Sequence, residues 1–138
     1  MQFRRAEIAE LVQRRINLAR ITIDAKRIHS IEELSETLDY YILPWFVDAH
    51  IHIESSMLVH YQFAPVVLKY GTVATVTDPH ELANVLGANG IDYMIKNAKH
   101  ARHKFHFGAA SCVPVASFET SGASIDSNEI SIYKLKDN

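Results

Sequence analysis

Two histidines at alternate positions, His50 and His52, carry the most specific chemistry in the sequence. They follow an apolar run, Tyr41 to Val47, that is typical of a buried strand. On a strand, residues i and i+2 point to the same face, so the two imidazoles project together with their backbones about 6–7 Å apart. Such a pair can bind one divalent metal ion, Zn²⁺, Mn²⁺ or Fe²⁺. The alternative is that one histidine packs and the other is solvated; Asp48 before the pair and Glu54 after it favour the metal site.

Four further ionisable residues are candidates for acid–base chemistry: Glu54, Asp78, His80 and Glu81. Glu54 lies just past the histidine pair, where it either orients an imidazole or caps the following helix. The other three end a second β-branched run, at the place where functional residues of (β/α)₈ barrels collect. A structural alternative is that Asp78 caps a helix beginning at Pro79, with Glu81 in its third position.

The first forty residues predict a helix followed by two short strands. Ala6 to Ile16 has apolar residues three and four positions apart, with charges between them, which favours an amphipathic helix. Leu18 to Ile23 and Arg27 to Ile31 alternate imperfectly and predict two short strands around a turn at Asp24 to Lys26. We interpret this segment as a short helix and the remnant of a small β domain.

From Tyr41 onwards, predicted strands and helices alternate. The predicted strands are Tyr41 to Val47, Thr72 to Thr77 and Phe105 to Ala110. The predicted helices are Tyr61 to Lys69, stopped by Gly71, and Leu82 to His100, with a break at Gly87 and Gly90. The final residues, Ile130 to Asn138, are interpreted as a polar tail. This order is typical of βαβ units with a parallel sheet. We therefore predict an α/β fold with about three units of a (β/α)₈ barrel, a fold that typically takes about 250 residues. The predicted domains are residues 1–40 and 41–138.

Composition narrows the class of protein. The chain has 138 residues, a net charge of −2 and a single cysteine, so no disulfide framework is expected and Cys112 reads as a small buried residue. No run of eighteen apolar residues and no signal peptide are present, which predicts a cytoplasmic protein without a membrane span. The basic residues near the start lack interleaved aromatic residues, so no nucleic-acid partner is expected. His60, His100, His103 and His106 read as surface or helix-end residues.

Four stretches carry a resemblance to a known family. The segment Pro44 to His52 resembles the Pro-Gly-Phe-x-Asp-x-His-x-His segment of metal-dependent amidohydrolases. Three more resemble, in the same order, bacterial adenine deaminases: His52 to Met57, Asp78 to Gly87, and Ser111 to Pro114 with Phe118 to Ala123. The chain is thus similar to the N-terminal part of an adenine deaminase of the amidohydrolase superfamily, with the match covering about residues 41 to 124.

The resemblance implies a reaction and a metal centre. In that family a two-metal centre, with Mn²⁺ or Fe²⁺ (Zn²⁺ is an alternative), binds a hydroxide that attacks C6 of adenine, which gives hypoxanthine and ammonia. His50 and His52 match the family's first-strand metal ligands, and the remaining ligands belong to later strands. Glu119 and Ser121 lie in a loop that the resemblance places at the barrel mouth, where they are candidates for contact with the purine.

Two departures from the family pattern qualify this expectation. Trp45 stands where the family usually has Gly, which alters the entry to the first strand. Only two metal ligands are identified, whereas catalytic zinc-type sites usually have three protein ligands. We therefore expect a truncated chain that is inactive alone and that self-associates, as a homo-oligomer, through an uncovered sheet edge. The alternatives are a non-catalytic binding module that retains part of the barrel, another metal-dependent amidohydrolase, or an enzyme that completes its site across subunits.

Overall fold

A computed structural model describes residues 2–10, 14–35, 40–116 and 118–136. The chain forms two compact units, Met1–Pro44 and Trp45–Asn138. Within the described residues, no helix is long and apolar enough to cross a membrane.

The first unit is a four-stranded sheet in the order β3-β2-β1-β4. Its strands are β1 (Gln2–Glu10), β2 (Arg15–Asp24), β3 (Arg27–Glu33) and β4 (Tyr41–Ile42). β2 pairs antiparallel with both β1 and β3, and β4 pairs parallel with β1. The core of this sheet contains Ile8, Ala19 and Ile21, with Ile23 and Ile42 packed against them.

The predicted helix from Ala6 to Ile16 is wrong. Its first part is strand β1 and its last residues begin β2, while residues 11–13 lie outside the described residues. Ala6 and Ile8 are both buried, which is the period of two that a strand requires. The pairing of β1 with β2 runs from Gln2 opposite Ile23 to Glu10 opposite Arg15, so partners rather than local periodicity decide the conformation.

The two predicted strands that follow are present and longer than expected. They are joined at Ala25 and Lys26, whose φ angles of 47° and 65° are both positive. Two positive φ values in a two-residue connection are those of a type I′ hairpin turn, which matches the twist of the flanking strands. Neither residue is glycine, so the strand pairing holds two ordinary residues in a left-handed conformation.

The second unit contains a parallel sheet in the order β5-β6-β7, as predicted. The strands are β5 (Phe46–Ile51), β6 (Thr72–Thr77) and β7 (Lys104–Phe107). The helices are α1 (His60–Leu68), α2 (His80–Leu86), α3 (Ala88–Ala98) and α4 (Ser127–Lys136). A short 3₁₀ turn, Ile53–Ser56, follows β5. The alternation of strands and helices and the break at Gly87, whose φ is 60°, agree with the sequence-based expectation.

Several boundaries differ from that expectation, and the third strand ends at Phe107 rather than at Ala110. The first strand of the parallel sheet begins at Phe46, because Tyr41 and Ile42 belong to β4 in the other unit. The predicted polar tail is wrong as far as Lys136, because Ser127–Lys136 is helix α4. Asp126 begins α4 with a capping box: its carboxylate accepts the N–H groups of Asn128 and Glu129, and the Glu129 carboxylate accepts the N–H of Asp126.

The core of this unit lies between the helices and the segment after β7. It contains buried residues from α2, α3 and the 110–125 segment, with two partly buried isoleucines packed against them: Ala83, Ile91, Ala110, Val113, Ile125, Ile95 and Ile130. This packing fixes the helix that follows β6, and that helix carries two of the candidate residues.

Candidate active site at the carboxyl ends of the parallel strands

The structure brings His50 and His52 together at the carboxyl end of β5. Their ring centroids lie 5.0 Å apart and the rings are nearly perpendicular. A bulge lies between Asp48, which pairs with Thr75, and Ile51, which pairs with Thr77. The N–H of His50 donates to Asp48 Oδ1 at 3.1 Å within this bulge. Bulges re-aim side chains beside functional sites, so local backbone irregularity, as well as the i, i+2 spacing, places the pair.

A third imidazole comes from the next strand–helix connection. His80 is the first residue of α2, and its ring centroid lies 6.0 Å from that of His52. His80 Nδ1 is 4.0 Å from Asp78 Oδ2, in the segment that joins β6 to α2. The N–H of Asp78 donates to Ile51 O at 3.3 Å, which ties the ends of β5 and β6. Parallel pairing thus collects candidate residues that are 28 positions apart in sequence.

Glu81 orients the imidazole of His52. Glu81 Oε2 lies 3.2 Å from His52 Nδ1, although the two groups are not aligned as a hydrogen bond. The Ser55 hydroxyl donates to Glu81 Oε1 at 3.0 Å, which holds the carboxylate from its other side. Glu81, rather than Glu54, is therefore the carboxylate next to the His52 ring.

Glu54 caps helix α2. Its Oε1 accepts the backbone N–H of Glu81 at 3.1 Å, in the first turn of that helix. The expected cap by Asp78 is wrong: α2 begins at His80, its N-cap residue is Pro79, and Asp78 Oδ1 is buried without a hydrogen-bond partner. A capping carboxylate thus comes from 27 residues upstream, and the Asp78 carboxylate lies beside His80 instead.

The two glutamates form a coupled pair with opposite pKa shifts. Burial, together with the neighbouring Glu81, raises the pKa of Glu54 despite the opposing effect of backbone N–H groups. Burial also acts to raise the pKa of Glu81, but Glu54, the Glu81 N–H, the Ser55 hydroxyl and the His52 ring together lower it. The pair therefore favours a proton on Glu54 and a negative charge on Glu81, beside His52.

The donor atoms of this cluster fit a divalent metal ion. One ligand atom from each of His52, Glu54 and Glu81 lies within 4.8 Å of the others. His52 Nδ1, Glu54 Oε2, Thr77 Oγ1 and Asp78 Oδ1 are buried polar atoms without a hydrogen-bond partner at this end of the sheet. Imidazole and carboxylate groups together suit Mn²⁺, Fe²⁺ and Zn²⁺. Only one of the two predicted ligands, His52, belongs to this three-residue group; His50 lies beside it.

The loop with Glu119 and Ser121 docks on α2. The N–H groups of Gly122 and Ala123 donate to the backbone oxygen of Asn84 at 2.9 and 3.2 Å. A Cβ at Gly122 would lie 2.6 Å from the Val85 oxygen, so only glycine permits this approach. Glu119 is exposed, and the Ser121 hydroxyl donates to Ala123 O at 2.6 Å within the loop. The loop is thereby fixed to the helix that begins with His80 and Glu81.

Residues 41–136 match the model of the amidohydrolase family. The chain belongs to the amidohydrolase family. An adenine deaminase of Sulfurovum sp. (strain NBC37-1) is 49% identical over 132 residues, which is 95% of this amidohydrolase chain and 25% of the relative. An adenine deaminase of Borreliella burgdorferi is 50% identical over 135 residues, 96% of this chain and 25% of the relative. An adenine deaminase of Methanosarcina barkeri is 46% identical over 130 residues, 94% and 24% of the two. The chain thus spans about a quarter of the length of the curated relatives it matches.

Two histidines of this amidohydrolase chain are buried, against the expectation that they lie at the surface. His60 is fully buried, with Phe105 at 4.7 Å and Phe107 at 5.0 Å between ring centroids. His103 is 8% exposed, and its Nε2 lies 2.8 Å from Thr75 Oγ1. Burial, with a smaller effect of His103, lowers the pKa of His60 to about 4, and burial lowers that of His103. Both side chains are therefore neutral near pH 7.

Two further residues stand differently from what the sequence suggested. Cys112 is exposed rather than buried, with its Sγ 3.6 Å from the Ser111 hydroxyl. Ser55 was not a candidate, although it holds Glu81. The available signal was its place directly after the candidate carboxylate Glu54, inside the stretch His52 to Met57.

Proposed function

We propose that this amidohydrolase chain provides the first-strand metal-binding part of an adenine deaminase. One observation carries the proposal: a paired His50 and His52, with Glu81 3.2 Å from the second ring, at the carboxyl end of a parallel strand. The proposed substrate, adenine, is supported by relatives that are 49–50% identical over most of this chain and are named adenine deaminase. The reaction adds water to adenine and releases ammonia, which leaves hypoxanthine.

The proposal includes the architecture around the site. β5, β6 and β7 with their intervening helices are the first three units of a (β/α)₈ barrel, and the units Met1–Pro44 and Trp45–Asn138 are separate domains, with the boundary a few residues after the predicted residue 40. The parallel order β5-β6-β7 supports this, and so do the candidate residues at the carboxyl ends of two neighbouring strands.

His50 and His52 are the proposed ligands of Mn²⁺ or Fe²⁺, with Zn²⁺ as an alternative. When bound, the divalent ion lowers the pKa of a water molecule enough to supply a nucleophile at neutral pH. Glu81, whose Oε2 lies 3.2 Å from His52 Nδ1, is placed to orient this ring, which would leave the other ring nitrogen for the ion. Glu54, Asp78, His80 and Glu81 are the candidates for moving a proton to the departing amine.

Substrate contacts and assembly complete the proposal. Glu119 and Ser121 are candidates for contact with adenine, because their loop is fixed to the helix that carries His80 and Glu81. Self-association is proposed from β5 and β7, the edge strands of the three-stranded sheet within the described residues, since edge strands can offer unpaired backbone groups to another chain.

The test is turnover of adenine by the Mn²⁺- or Fe²⁺-loaded chain. Because the chain carries only part of the proposed site, we expect little or no hypoxanthine from it alone. Any turnover should give hypoxanthine and ammonia in equal amounts and should be absent from a His50→Ala/His52→Ala variant. Circular dichroism of both proteins shows whether the variant is folded. Turnover that survives in the folded variant would contradict the proposed ligands, and no turnover from a folded, metal-loaded chain would contradict activity of this chain by itself.

A second candidate is a metal-binding module without catalysis. The observation that favours it is the group His52, Glu54 and Glu81, which offers three ligands without help from any other described residue. This candidate predicts tight Mn²⁺ binding, no release of ammonia, and loss of binding on Glu54→Gln as well as on His52→Ala. The deaminase proposal predicts that metal binding depends on both His50 and His52.

A further inference from the structure

The 3₁₀ turn Ile53–Ser56 contacts Glu81 of helix α2 at two points. The carboxylate of Glu54 accepts the backbone N–H of Glu81 at 3.1 Å. The next residue, Ser55, donates its hydroxyl to the Glu81 side chain, 3.0 Å from Oε1. Two consecutive residues after strand β5 therefore hold both the main chain and the side chain of the one glutamate that lies next to the His52 ring.

The side chain of Glu81 depends on such a contact to keep its position. It is 50% exposed, and a glutamate side chain has enough rotatable bonds to turn away into solvent. Its Oε2 lies 3.2 Å from His52 Nδ1 without hydrogen-bond alignment, so this approach does not hold the carboxylate by itself. The Ser55 hydroxyl can donate at any pH, whereas the carboxyl group of Glu54 can donate only while it is protonated. The Ser55 hydroxyl is therefore the contact that keeps Oε2 turned towards His52.

The turn that carries Ser55 is itself fixed to the fold. Its first residue, Ile53, is fully buried, and Ser56 Oγ donates to Ile53 O at 2.6 Å. The N–H of Met57 donates to Glu54 O at 2.8 Å and closes the turn. Ser55 and Ser56 are both exposed, but their hydroxyls have different partners, since one binds a side chain of α2 and the other binds the main chain of the turn. The two neighbouring serines therefore allow a matched comparison.

We infer that Ser55 is a positioning residue for the proposed metal site, and that it raises the affinity for a divalent ion by holding the Glu81 carboxylate against the His52 ring. This inference rests on the proposed ligands His50 and His52. Loss of a group that orients a metal-binding imidazole typically lowers metal affinity by about 10–100-fold. Ser55 acts one contact further from the ion, so we expect Ser55→Ala to lower the affinity less, by about three- to fivefold.

Isothermal titration of the full chain with Mn²⁺ alone tests this role. We expect the stated loss of affinity for Ser55→Ala, whereas Ser55→Thr, which keeps a hydroxyl, retains the affinity of the unaltered chain. Ser56→Ala is the matched control and should also retain it, because that hydroxyl binds the main chain of its own turn. Urea unfolding of each variant without metal shows whether it is folded.

A double-mutant cycle shows whether Ser55 acts through Glu81. In a Glu81→Ala background the carboxylate is absent, so Ser55→Ala should cause no further loss of Mn²⁺ affinity. Residues that act independently give additive losses, whereas residues that act through one shared contact do not. A general effect of Ser55 on the stability of the turn would persist in the Glu81→Ala background.

The outcomes separate this inference from the proposed function. Equal Mn²⁺ affinity of Ser55→Ala and the unaltered chain overturns the inference and leaves the proposed ligands in place. Equal losses for Ser55→Ala and Ser56→Ala, or additive losses in the cycle with Glu81→Ala, also overturn it. Mn²⁺ affinity that His50→Ala/His52→Ala leaves unchanged overturns the proposed ligands, and the inference with them.

Discussion

His52 and His60 stand eight residues apart in sequence and lie in opposite surroundings. The ring of His52 is partly exposed, with a second imidazole at 5.0 Å, a third at 6.0 Å and the Glu81 carboxylate at 3.2 Å. The ring of His60 is fully buried, with two phenylalanines against it and both nitrogens without a hydrogen-bond partner. One environment offers nitrogen and oxygen ligands to an ion, and the other suppresses the charge of the ring. The same side chain is therefore a proposed metal ligand in one place and a core residue in the other.

The largest expected difference between the surroundings of His52 and those of His60 is in metal binding. His50→Ala/His52→Ala removes both proposed ligands, and we expect Mn²⁺ affinity to fall at least about a hundredfold; Glu81→Gln, which removes an orienting carboxylate, costs about tenfold. His60→Leu leaves the affinity unchanged. Isothermal titration calorimetry of the four proteins measures this. If His60→Leu lost as much Mn²⁺ affinity as the double variant, His52 and His60 would not differ in metal binding.

Acid is expected to destabilise the folded protein by protonating the buried ring of His60. The folded-state pKa of His60, about 4, lies below its ordinary value of 6.5, so folding favours the neutral ring. The stability held by neutral His60 is complete above about pH 6.5 and is lost as the pH falls from there towards 4. Between pH 7 and 5 this amounts to about 2 kcal/mol.

Urea unfolding at the two pH values measures this loss. His60→Leu provides the control, because its stability should depend less on pH by about the same amount. Comparison of the two proteins cancels the titration of other groups, including His103, whose pKa is lowered in the same direction. Parallel pH profiles for the two proteins would show that the buried ring does not resist protonation.

The smallest difference is expected in the stability lost when one hydroxyl is removed, from Thr75 near the buried histidines or from Ser55 near His52. Thr75→Val removes the partner of His103 Nε2 inside the protein, where an unpaired polar atom costs about 1–3 kcal/mol. Ser55→Ala removes an exposed hydrogen bond to Glu81, and surface changes of this kind stay within about 0.5 kcal/mol. Thermal unfolding of both variants gives the comparison. Equal losses would mean that burial is not the factor that separates the two groups.

The sequence predicted the parts of the fold that local patterns determine. The strand Thr72–Thr77 is β-branched and lies between Gly71 and Asp78, and its bounds agree with the structure. The period of Ala6 to Ile16 suits a helix, but β2 supplies nine paired positions that favour a strand, and that partner begins beyond the window of the pattern. Local periodicity cannot weigh such pairing.

The sequence predicted the residues of the candidate site that lie on one strand. It did not predict the contacts between residues of two different segments. His50 and His52 were visible as a pair, because their spacing alone implies proximity. The contacts of Glu81 with His52 and Glu54 join segments 27 to 29 residues apart, so only the pairing of β5 and β6 reveals them. The burial of His60 depends on Phe105 and Phe107, 45 residues or more downstream, and no local signal marks it.

The cap that Glu54 gives to α2 has a consequence for how the chain acquires its chemistry. Because Glu54, Ser55 and Glu81 meet only when β5 and β6 are side by side, the cluster exists in the native fold and is dispersed in the denatured chain. A metal ion that prefers the assembled cluster draws the folding equilibrium towards the native state by mass action. The apparent metal affinity then also depends on folding stability. A substitution far from the cluster that populates the denatured state lowers this affinity without changing any ligand.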